Sequence, residues 1–254
     1  MVDAARNVAS PIWWFSLTPS STQVMQACKR GQPCAYFKDG ALVFFDGAVE
    51  IRLIAVSDIP VTLLGAAKHN IRNALAAACV CTALGASTDP IHAGLSGFVS
   101  DAKNNPGRFN EFTCNGAKII VDFAHNAHNA HSIAAVCDAM ASISSERRFL
   151  LLSQPGDRSD QNITEVTLTA LQFNPDLIVI AEIADYLRGR SLGEVPDQIR
   201  TSAIAAGFPA DKILQVGSPS AGTRLVLETV RPGDLVLLLV LSDRDAVFEA
   251  LTAL

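Results

Sequence analysis

The second half of the chain alternates between short aliphatic runs and longer segments in which apolar residues recur with helical spacing. The aliphatic runs are Lys118–Asp122, Phe149–Ser153, Leu177–Ala181, Ile213–Val216 and Leu235–Leu241. Runs of this kind are typical of parallel strands that are covered on both faces. The helical spacing predicts helices over roughly 130–144, 160–173, 194–206, 219–230 and 243–253. Because strands and helices alternate, we expect βαβ units in a doubly wound α/β domain.

The first half has a different pattern. Its strand-like segments, separated by turn signals that contain Asp-Gly, are Trp13–Leu17, Ala35–Phe37, Leu42–Phe45 and Glu50–Val56. This arrangement predicts hairpins or a β-meander. Two helices are then predicted over about Asn70–Leu84 and Asp89–Leu95. The elements include no complete βαβ unit, so we expect the first half to be the later part of a domain.

A polar, turn-rich segment at Asp101–Gly107 predicts the boundary between the two halves. We therefore expect one domain over 1–106 and a second over 107–254. Residues 1–106 carry 8 basic and 7 acidic side chains, and residues 107–254 carry 12 and 18. The second half thus holds nearly all of the excess negative charge.

Composition excludes several classes of protein. With 49% hydrophobic and 18% charged residues the chain is not disordered. A net charge of −5 argues against a nucleic-acid binder. The longest aliphatic run, Leu235–Leu241, is far shorter than the roughly 20 residues of a membrane span. Six scattered cysteines and no basic-then-apolar leader predict reduced thiols and a cytoplasmic location, with no membrane or nucleic-acid partner.

Polar residues follow three of the predicted strands. They lie at Asp122–Asn126, Pro155–Asp160 and Ser242–Asp245. In an open parallel sheet, ligands bind where the carboxyl ends of the strands meet. The alternative is that Asp160, and Ser242 or Asp243, only cap the helices that follow.

Two further groups of polar residues have more than one interpretation. The amides of Asn70 and Asn73, in the first turn of a helix, could hydrogen-bond a planar ligand such as a base, or Asn70 could simply cap the helix. His125, His128 and His131 fan apart on a helix, so we expect no metal site there. His125, in the loop itself, is the better candidate for a functional role.

Several motifs in register resemble the Mur ligase superfamily, and most closely its cyanophycin synthetase-like branch. They are GAAKHNIRNALAAA, NPGRFN, IIVDFAHNAH, PGDRSD, YLRGRSLGEVPDQIR and PGDLVLLLVLSDRDAV, in that order. The resemblance implies an ATP-dependent ligase that joins a carboxylate to an amino group through an acyl phosphate. It also implies that 107–254 is a C-terminal Rossmann-like domain that closes over the nucleotide. Residues 1–106 match the later, strand-and-helix part of the central ATPase domain.

The resemblance assigns roles to individual residues. Asn70 and Asn73 would contact adenine, Arg108 the phosphates, and Asp122 the ribose or the phosphate site, with His125 beside it. The residues that would face an amino-acid or peptide substrate are Asp157, Arg158, Arg188, Arg190, Ser242, Asp243 and Arg244. The implied cofactors are ATP and Mg²⁺.

The sequence also departs from the family pattern. The family's phosphate-binding loop ends in Gly-Lys followed by Thr or Ser. None of the six lysines follows a glycine; they are Lys29, Lys38, Lys68, Lys103, Lys118 and Lys212. The Glu and His expected to hold Mg²⁺ are missing as well. Ala127 stands where the family has Pro, and Leu241 where the branch has His.

These departures leave two hypotheses. The first is the C-terminal portion of a ligase, inactive alone, whose partner is the missing N-terminal ATPase portion or a second copy. The second is a non-catalytic binding or regulatory module. The C-terminal portion of a ligase should leave one side of the Trp13–Leu17 strand open, whereas a stand-alone module should cover that side. A dehydrogenase is excluded because no G-x-G-x-x-G follows a strand.

Overall fold

The computed structural model describes residues 8–63, 65, 67–123, 130–141 and 143–253. It divides into two units, Met1–Val99 and Ser100–Leu254. The division falls just before the polar segment Asp101–Gly107, so that segment belongs to the second unit. The assignment of 1–106 and 107–254 to two ligase domains stays a prediction.

The first unit is built on a four-stranded sheet. Its strands are β1 (Trp14–Ser16), β2 (Cys34–Lys38), β3 (Ala41–Phe45) and β4 (Glu50–Ala55). Its helices are α1 (Thr22–Lys29), α2 (Lys68–Ala83) and α3 (Thr88–Gly97). The strand order is β1-β2-β3-β4, with β1 parallel to β2 and the other pairs antiparallel. The predicted strands and both predicted helices of this half are confirmed.

Helix α1 is an addition to the predicted elements. It starts after Ser21, whose Oγ accepts a hydrogen bond from Val24 N at 3.4 Å. Only Val24 and Ala27 are buried on its inner face, so its apolar pattern is too short to show helical periodicity. Because α1 connects the parallel strands β1 and β2, the first unit does contain a βαβ unit, and the expectation that it has none was wrong.

Small residues let α2 pack closely on this sheet. Ile71, Ala74, Leu75 and Ala78 are buried on one face of α2, in the same core as Leu42 of β3. At the edge of the sheet, β1 pairs with β2 on one side, and within the described residues no strand pairs with its other side. Among the residues that the structure describes, this side of β1 is thus left unpaired, as expected for a ligase portion.

The second unit is a three-layer α/β structure. Its strands are β5 (Asn110–Cys114), β6 (Ala117–Asp122), β7 (Arg148–Leu152), β8 (Leu177–Ala181), β9 (Ile213–Val216) and β10 (Leu235–Leu239). Its helices are α4 (Ala130–Ala141), α5 (Asp160–Ala170), α6 (Glu194–Ala205), α7 (Pro219–Thr229) and α8 (Arg244–Thr252). Helices α4, α5 and α6 pack in succession, and α7 packs on α8. The predicted doubly wound α/β fold is confirmed.

The sheet order is β5-β6-β10-β7-β8-β9, and every pair is parallel except β5 with β6. Strand β5 was not predicted, although Asn115-Gly116 marks its hairpin. Both residues have positive φ, 49° and 75°, as a two-residue type I′ turn requires.

The most apolar run of the sequence is the central strand β10. Leu235, Val236, Leu237, Leu238 and Leu239 are all at most 1% exposed. Its neighbours on both sides and the helices on both faces account for this burial. Within the described ranges, no helix combines the length and apolar character needed to cross a membrane.

The position of β10 also creates the place where a ligand can bind. After β9 the chain returns and inserts β10 between β6 and β7, so the carboxyl ends of these three strands lie side by side. Val240 N donates to Asp122 O at 3.1 Å, and Ser153 Oγ donates to Leu239 O at 3.3 Å. A reversal of strand order of this kind is the usual ligand crevice of an open α/β sheet.

Candidate functional site

A loop over residues 100–110 borders this crevice, and Asn110 organises it. Asn110 is fully buried, and its Nδ2 donates to Ser100 O at 3.2 Å and to Asn105 O at 3.0 Å. Its Oδ1 accepts from Gly107 N at 2.6 Å. All three bonds hold the loop backbone in one conformation. In the sequence Asn110 stands out only as the last residue of the motif NPGRFN, which does not predict this role.

Asp122 fixes the same loop from the end of β6. Its carboxylate is 8% exposed and accepts a hydrogen bond from Phe109 N at 3.0 Å. Phe109 has φ 52°, an uncommon conformation for a residue with a side chain. Gly107 has φ 72°, and its carbonyl accepts from Phe123 N at 2.9 Å. Between them, Asp122 and Asn110 determine where Arg108 lies.

Arg108 is exposed at the tip of this braced loop. Its Nη1 donates to Gly107 O at 3.4 Å, a long hydrogen bond, and it forms no ion pair with any described residue. A guanidinium has five N–H donors in a planar fork that fits phosphate and carboxylate groups. Most of the donors of Arg108 are therefore available to an anionic ligand.

The loop after β10 approaches the Arg108 loop through Phe123. The Arg244 guanidinium lies 4.2 Å from the centre of the Phe123 ring, and its Nε donates to Leu241 O at 3.0 Å. Asp243 has φ 60° and is the N-cap residue of α8, but its side chain does not cap that helix. Its Oδ2 accepts instead from Ser220 N, in the first turn of α7, at 3.1 Å.

The loop after β7 forms a second cluster with the segment that follows β8. Asp157 pairs with Arg188, whose guanidinium also lies 5.0 Å from the centre of the Tyr186 ring. Arg158 Nε is 3.8 Å from Asp157 Oδ1. Asp157 and Arg188 are 31% and 50% exposed, so solvent and ligands can reach this pair.

Arg190 is a brace within the second cluster. Its Nε donates to Gly156 O at 3.0 Å, and its Nη2 donates to Arg158 O at 2.6 Å and to Asp160 Oδ1 at 2.8 Å. Its Nη1 donates to Glu194 Oε1 at 2.8 Å. Hydrogen bonding to Asp160, followed by that to Glu194, raises the pKa of Arg190. This guanidinium is occupied by the protein itself.

Asp160 does not cap α5. The N-cap is Ser159, whose Oγ accepts from Asn162 N at 3.2 Å, and Asp160 is the first helical residue. The expectation that Asp160 serves as the cap is therefore wrong. A carboxylate in the first turn still interacts favourably with the helix dipole, and here it also binds Arg190.

Backbone contacts join the two loops of the second cluster. Gly156 N donates to Tyr186 O at 2.8 Å, and a Cβ on Gly156 would lie 2.0 Å from Leu187 O. The Glu182 carboxylate, 8% exposed, accepts from Gly193 N at 2.6 Å and from Ile183 N at 2.9 Å. The two loops therefore pack at a distance that only glycine at 156 allows.

Gln154 is the unusual residue of the crevice. It directly follows Ser153 at the carboxyl end of β7 and is only 2% exposed, yet neither its Nε2 nor its Oε1 has a hydrogen-bond partner. A buried amide without partners costs about 1–3 kcal/mol. Gln154 was not predicted as a site residue, and the one signal in the sequence is an amide placed between an aliphatic run and Pro155.

We expect Gln154→Met to raise the free energy of unfolding by about 1 kcal/mol, because methionine has a similar shape and no unpaired polar group. Denaturant unfolding followed by far-UV circular dichroism measures the change. Gln198→Met is the matched control, since Gln198 Nε2 donates to Thr164 Oγ1 at 3.1 Å and its loss should destabilise. Destabilisation by Gln154→Met would show that the amide is satisfied in solution.

Asn70 and Asn73 lie in the first unit and bond to each other. Helix α2 begins at Lys68 after Ala67, which makes no side-chain cap, so the hypothesis that Asn70 caps this helix is wrong. Asn70 Nδ2 donates to Val61 O at 2.6 Å, and Asn70 Oδ1 accepts from Asn73 Nδ2 at 3.3 Å. Asn73 is exposed.

The predicted site residue His125 lies outside the described residues, as does His128. Among the residues that the structure describes, no three His, Cys, Asp or Glu side chains are grouped so that they could share a metal ion. Asn70 and Asn73 lie in the first unit, whereas two clusters in the second unit hold seven of the other candidates. Arg108, Asp122 and Arg244 lie around Phe123, and Asp157, Arg158, Arg188 and Arg190 form the second cluster.

Comparison with known proteins identifies the family. Residues 107–239 match the family described as "Mur ligase, glutamate ligase domain". The chain belongs to the Mur ligase family. A cyanophycin synthetase from Synechocystis sp. is 31% identical over 195 residues, which are 77% of this chain and 22% of that protein. A UDP-N-acetylmuramoyl-L-alanyl-D-glutamate–L-lysine ligase from Streptococcus suis is 31% identical over 62% of this chain and 34% of its own length.

This member of the Mur ligase family thus spans about a fifth of the cyanophycin synthetases it matches, and the resemblance drawn from its motifs is confirmed. Solved Mur-type ligases share the fold. E. coli FolC in complex with DHPP and ADP has a TM-score of 0.62 and 16% identity, covering 96% of this chain and 54% of FolC. The murein peptide ligase Mpl of Psychrobacter arcticus has a TM-score of 0.60 and 17% identity over 98% of this chain and 47% of Mpl.

Proposed function

We propose that the chain is the C-terminal portion of an ATP-dependent ligase that joins a carboxylate to an amino group through an acyl phosphate. Residues 107–254 are its Rossmann-like closing domain, and 1–106 are the later part of its central ATPase domain. The observation that carries the proposal is the position of Arg108. Its guanidinium forms no ion pair with any described residue, and buried Asn110 and Asp122 hold its loop at the crevice of a Mur ligase sheet.

The residues of the crevice fit the phosphate end of a nucleotide. In this proposal Arg108 binds a phosphate through its available N–H donors, and Asp122 acts through Phe109 N to keep Arg108 in place. Asn70 and Asn73 bind adenine, consistent with the ADP bound to the structurally similar FolC. ATP, when bound, supplies the phosphoryl group that activates the substrate carboxylate. The described residues offer no cluster of three metal ligands, so we assign no Mg²⁺ ligand among them.

The second cluster suits an amino-acid or peptide substrate. Asp157 and Arg188 are partly exposed and oppositely charged, so they can exchange their mutual contact for an amino group and a carboxylate. Arg158 and Gln154 lie on the same loop, and the Gln154 amide has no hydrogen-bond partner among the described residues. Arg190 and Asp243 are occupied by protein groups, and in this proposal they shape the substrate site through the backbone.

The alternative, a non-catalytic binding or regulatory module, would have to cover its sheet edge. An unpaired strand edge is a ready template for further pairing. The described edge of β1 has no such cover, which favours a chain whose sheet is completed by other residues. We propose that these residues belong to the ATPase portion, with a second copy of the chain as the other candidate.

We expect the isolated 254 residues to show no ATP turnover, because no lysine follows a glycine in a phosphate-binding loop. Calorimetric titration with ATP and Mg²⁺, together with phosphate release, tests this. ATP turnover by the chain alone would contradict the inference that turnover requires the phosphate-binding loop. The longest reading frame that contains these residues should release phosphate when amino acids are added. Phosphate release by neither protein would favour the regulatory module.

A further inference from the structure

Two cysteine side chains meet in the first unit. Cys28 lies in the last turn of α1 and Cys34 is the first residue of β2, and their Sγ atoms are 3.5 Å apart in hydrogen-bond contact. Both are free thiols. A disulfide requires a separation of about 2.0 Å, so a small rotation of the two side chains could bring the sulfurs to bonding distance.

The turn between the two cysteines is held in place. Arg30 N and Gln32 N both donate to Ala27 O, at 3.0 and 2.9 Å, and close the end of α1. Gly31 has φ 62°, and a Cβ on Gly47 of the facing turn would lie 2.6 Å from Gly31 O. Because both turns pack backbone to backbone, the approach of the two sulfurs is set by the fold.

The two thiols differ in access. Cys34 is fully buried in a cluster with Val24, Tyr36 and Val43, whereas Cys28 is half-buried at the margin of that cluster. Burial, followed by the hydrogen bond with Cys28, raises the pKa of the Cys34 thiol to about 12. Cys34 is therefore closed to reagents in solution, and its Sγ is in contact with Cys28 Sγ.

We propose that Cys28 and Cys34 are an oxidation site that a low-molecular-weight disulfide converts to an intramolecular disulfide. The Cys28 thiolate attacks the oxidant, forms a mixed disulfide and releases one thiol. Cys34 Sγ then attacks Cys28 Sγ and breaks the mixed disulfide, while the Cys34 proton passes to the departing sulfur, which leaves as the second thiol. Two protein thiols are oxidised and one disulfide is reduced to two thiols.

The bond would tie the end of α1 to the start of β2. It closes a short loop and restricts the unfolded chain, so the oxidised first unit should unfold at a temperature roughly 5–10 °C higher. Trp14 packs against the same cluster, and both tryptophans lie in this unit. Because disulfides quench indole fluorescence, we expect lower tryptophan emission in the oxidised protein.

The test is incubation of the whole chain with oxidised glutathione, followed by trypsin and non-reducing mass spectrometry. Lys29 and Arg30 lie between the cysteines, so trypsin separates them and a Cys28–Cys34 bond appears as two linked peptides. Exposed Cys81 serves as the internal control and should keep one glutathione, while buried Cys137 should remain unmodified. A stable glutathione adduct on Cys28 in the wild-type chain would overturn the proposal.

Two variants separate the steps. Cys34→Ser should accumulate glutathione on Cys28, because the second thiol is missing. Cys28→Ser should leave Cys34 unmodified, because burial closes it to the oxidant. Modification of Cys34 in the Cys28→Ser variant would contradict the proposed order. The wild-type measurement decides the proposal even if a variant fails to fold, and none of these results depends on the proposed ligase function.

Discussion

Gly107→Ala is expected to lower the free energy of unfolding of the second unit by about 2–5 kcal/mol. Gly107 has φ 72°, and a methyl group there would lie 1.9 Å from the Phe123 ring. The positive φ costs about 1–2 kcal/mol with a side chain, and the overlap adds about 1–3 kcal/mol. Phe123 cannot easily move, because Phe248 and Arg244 pack against its ring.

Gly207→Ala is the matched control for this prediction. Gly207 also lies in the second unit with positive φ, 92°, but a Cβ there has nothing within 4 Å. Gly207→Ala should lower the free energy of unfolding only by the cost of a positive φ, about 1–2 kcal/mol. Both tryptophans lie in the first unit, so far-UV circular dichroism should follow this transition. Equal losses in the two variants would show that Phe123 accommodates the methyl group.

Arg108→Ala is expected to lower amino-acid-dependent phosphate release about a thousandfold in the protein encoded by the longest reading frame that contains these residues. Removal of an arginine that stabilises phosphoryl transfer has an effect of this size in other enzymes. Because Arg108 is exposed and has only the long bond to Gly107 O, stability should change by less than about 0.5 kcal/mol. A loss of activity without a loss of stability would identify a functional role.

Arg224→Ala is the control for Arg108→Ala. Arg224 is an exposed arginine on α7, and its loss should leave phosphate release unchanged. Asp122→Ala should act through the loop: it removes the acceptor of Phe109 N and should lower both activity and stability. An undiminished rate in Arg108→Ala would contradict the role that the family resemblance assigns to this residue.

The layered fold was predictable because its strands are continuous aliphatic runs, a pattern that needs no knowledge of neighbours. Helix α1 and strand β5 were missed for local reasons. Helix α1 buries two residues on its inner face, and β5 is an edge strand next to a turn whose Asn-Gly signal was overlooked. Each lies at the margin of a sheet, where fewer side chains are buried and the pattern weakens.

The candidate site was predictable only in part. Motifs and the carboxyl ends of strands pointed to Arg108 and Asp122, but not to Asn110, whose side-chain partners belong to the loop backbone. Gln154 stands out only through the lack of partners in its surroundings, which no sequence pattern encodes. The substrate roles of Arg190 and Asp243 stay predictions, and their bonds to protein groups could be seen only in three dimensions.

The contact between the loops after β7 and β8 limits which segments of the second unit can be exchanged independently. Gly156 N donates a hydrogen bond to Tyr186 O, and Gly193 N donates one to the Glu182 carboxylate. A chimera that exchanges residues 153–160 alone would lose the matching backbone surface, whereas one that carries 182–194 as well would retain it. Donor segments from a relative must therefore be transplanted together, although a helix and a strand separate them along the chain.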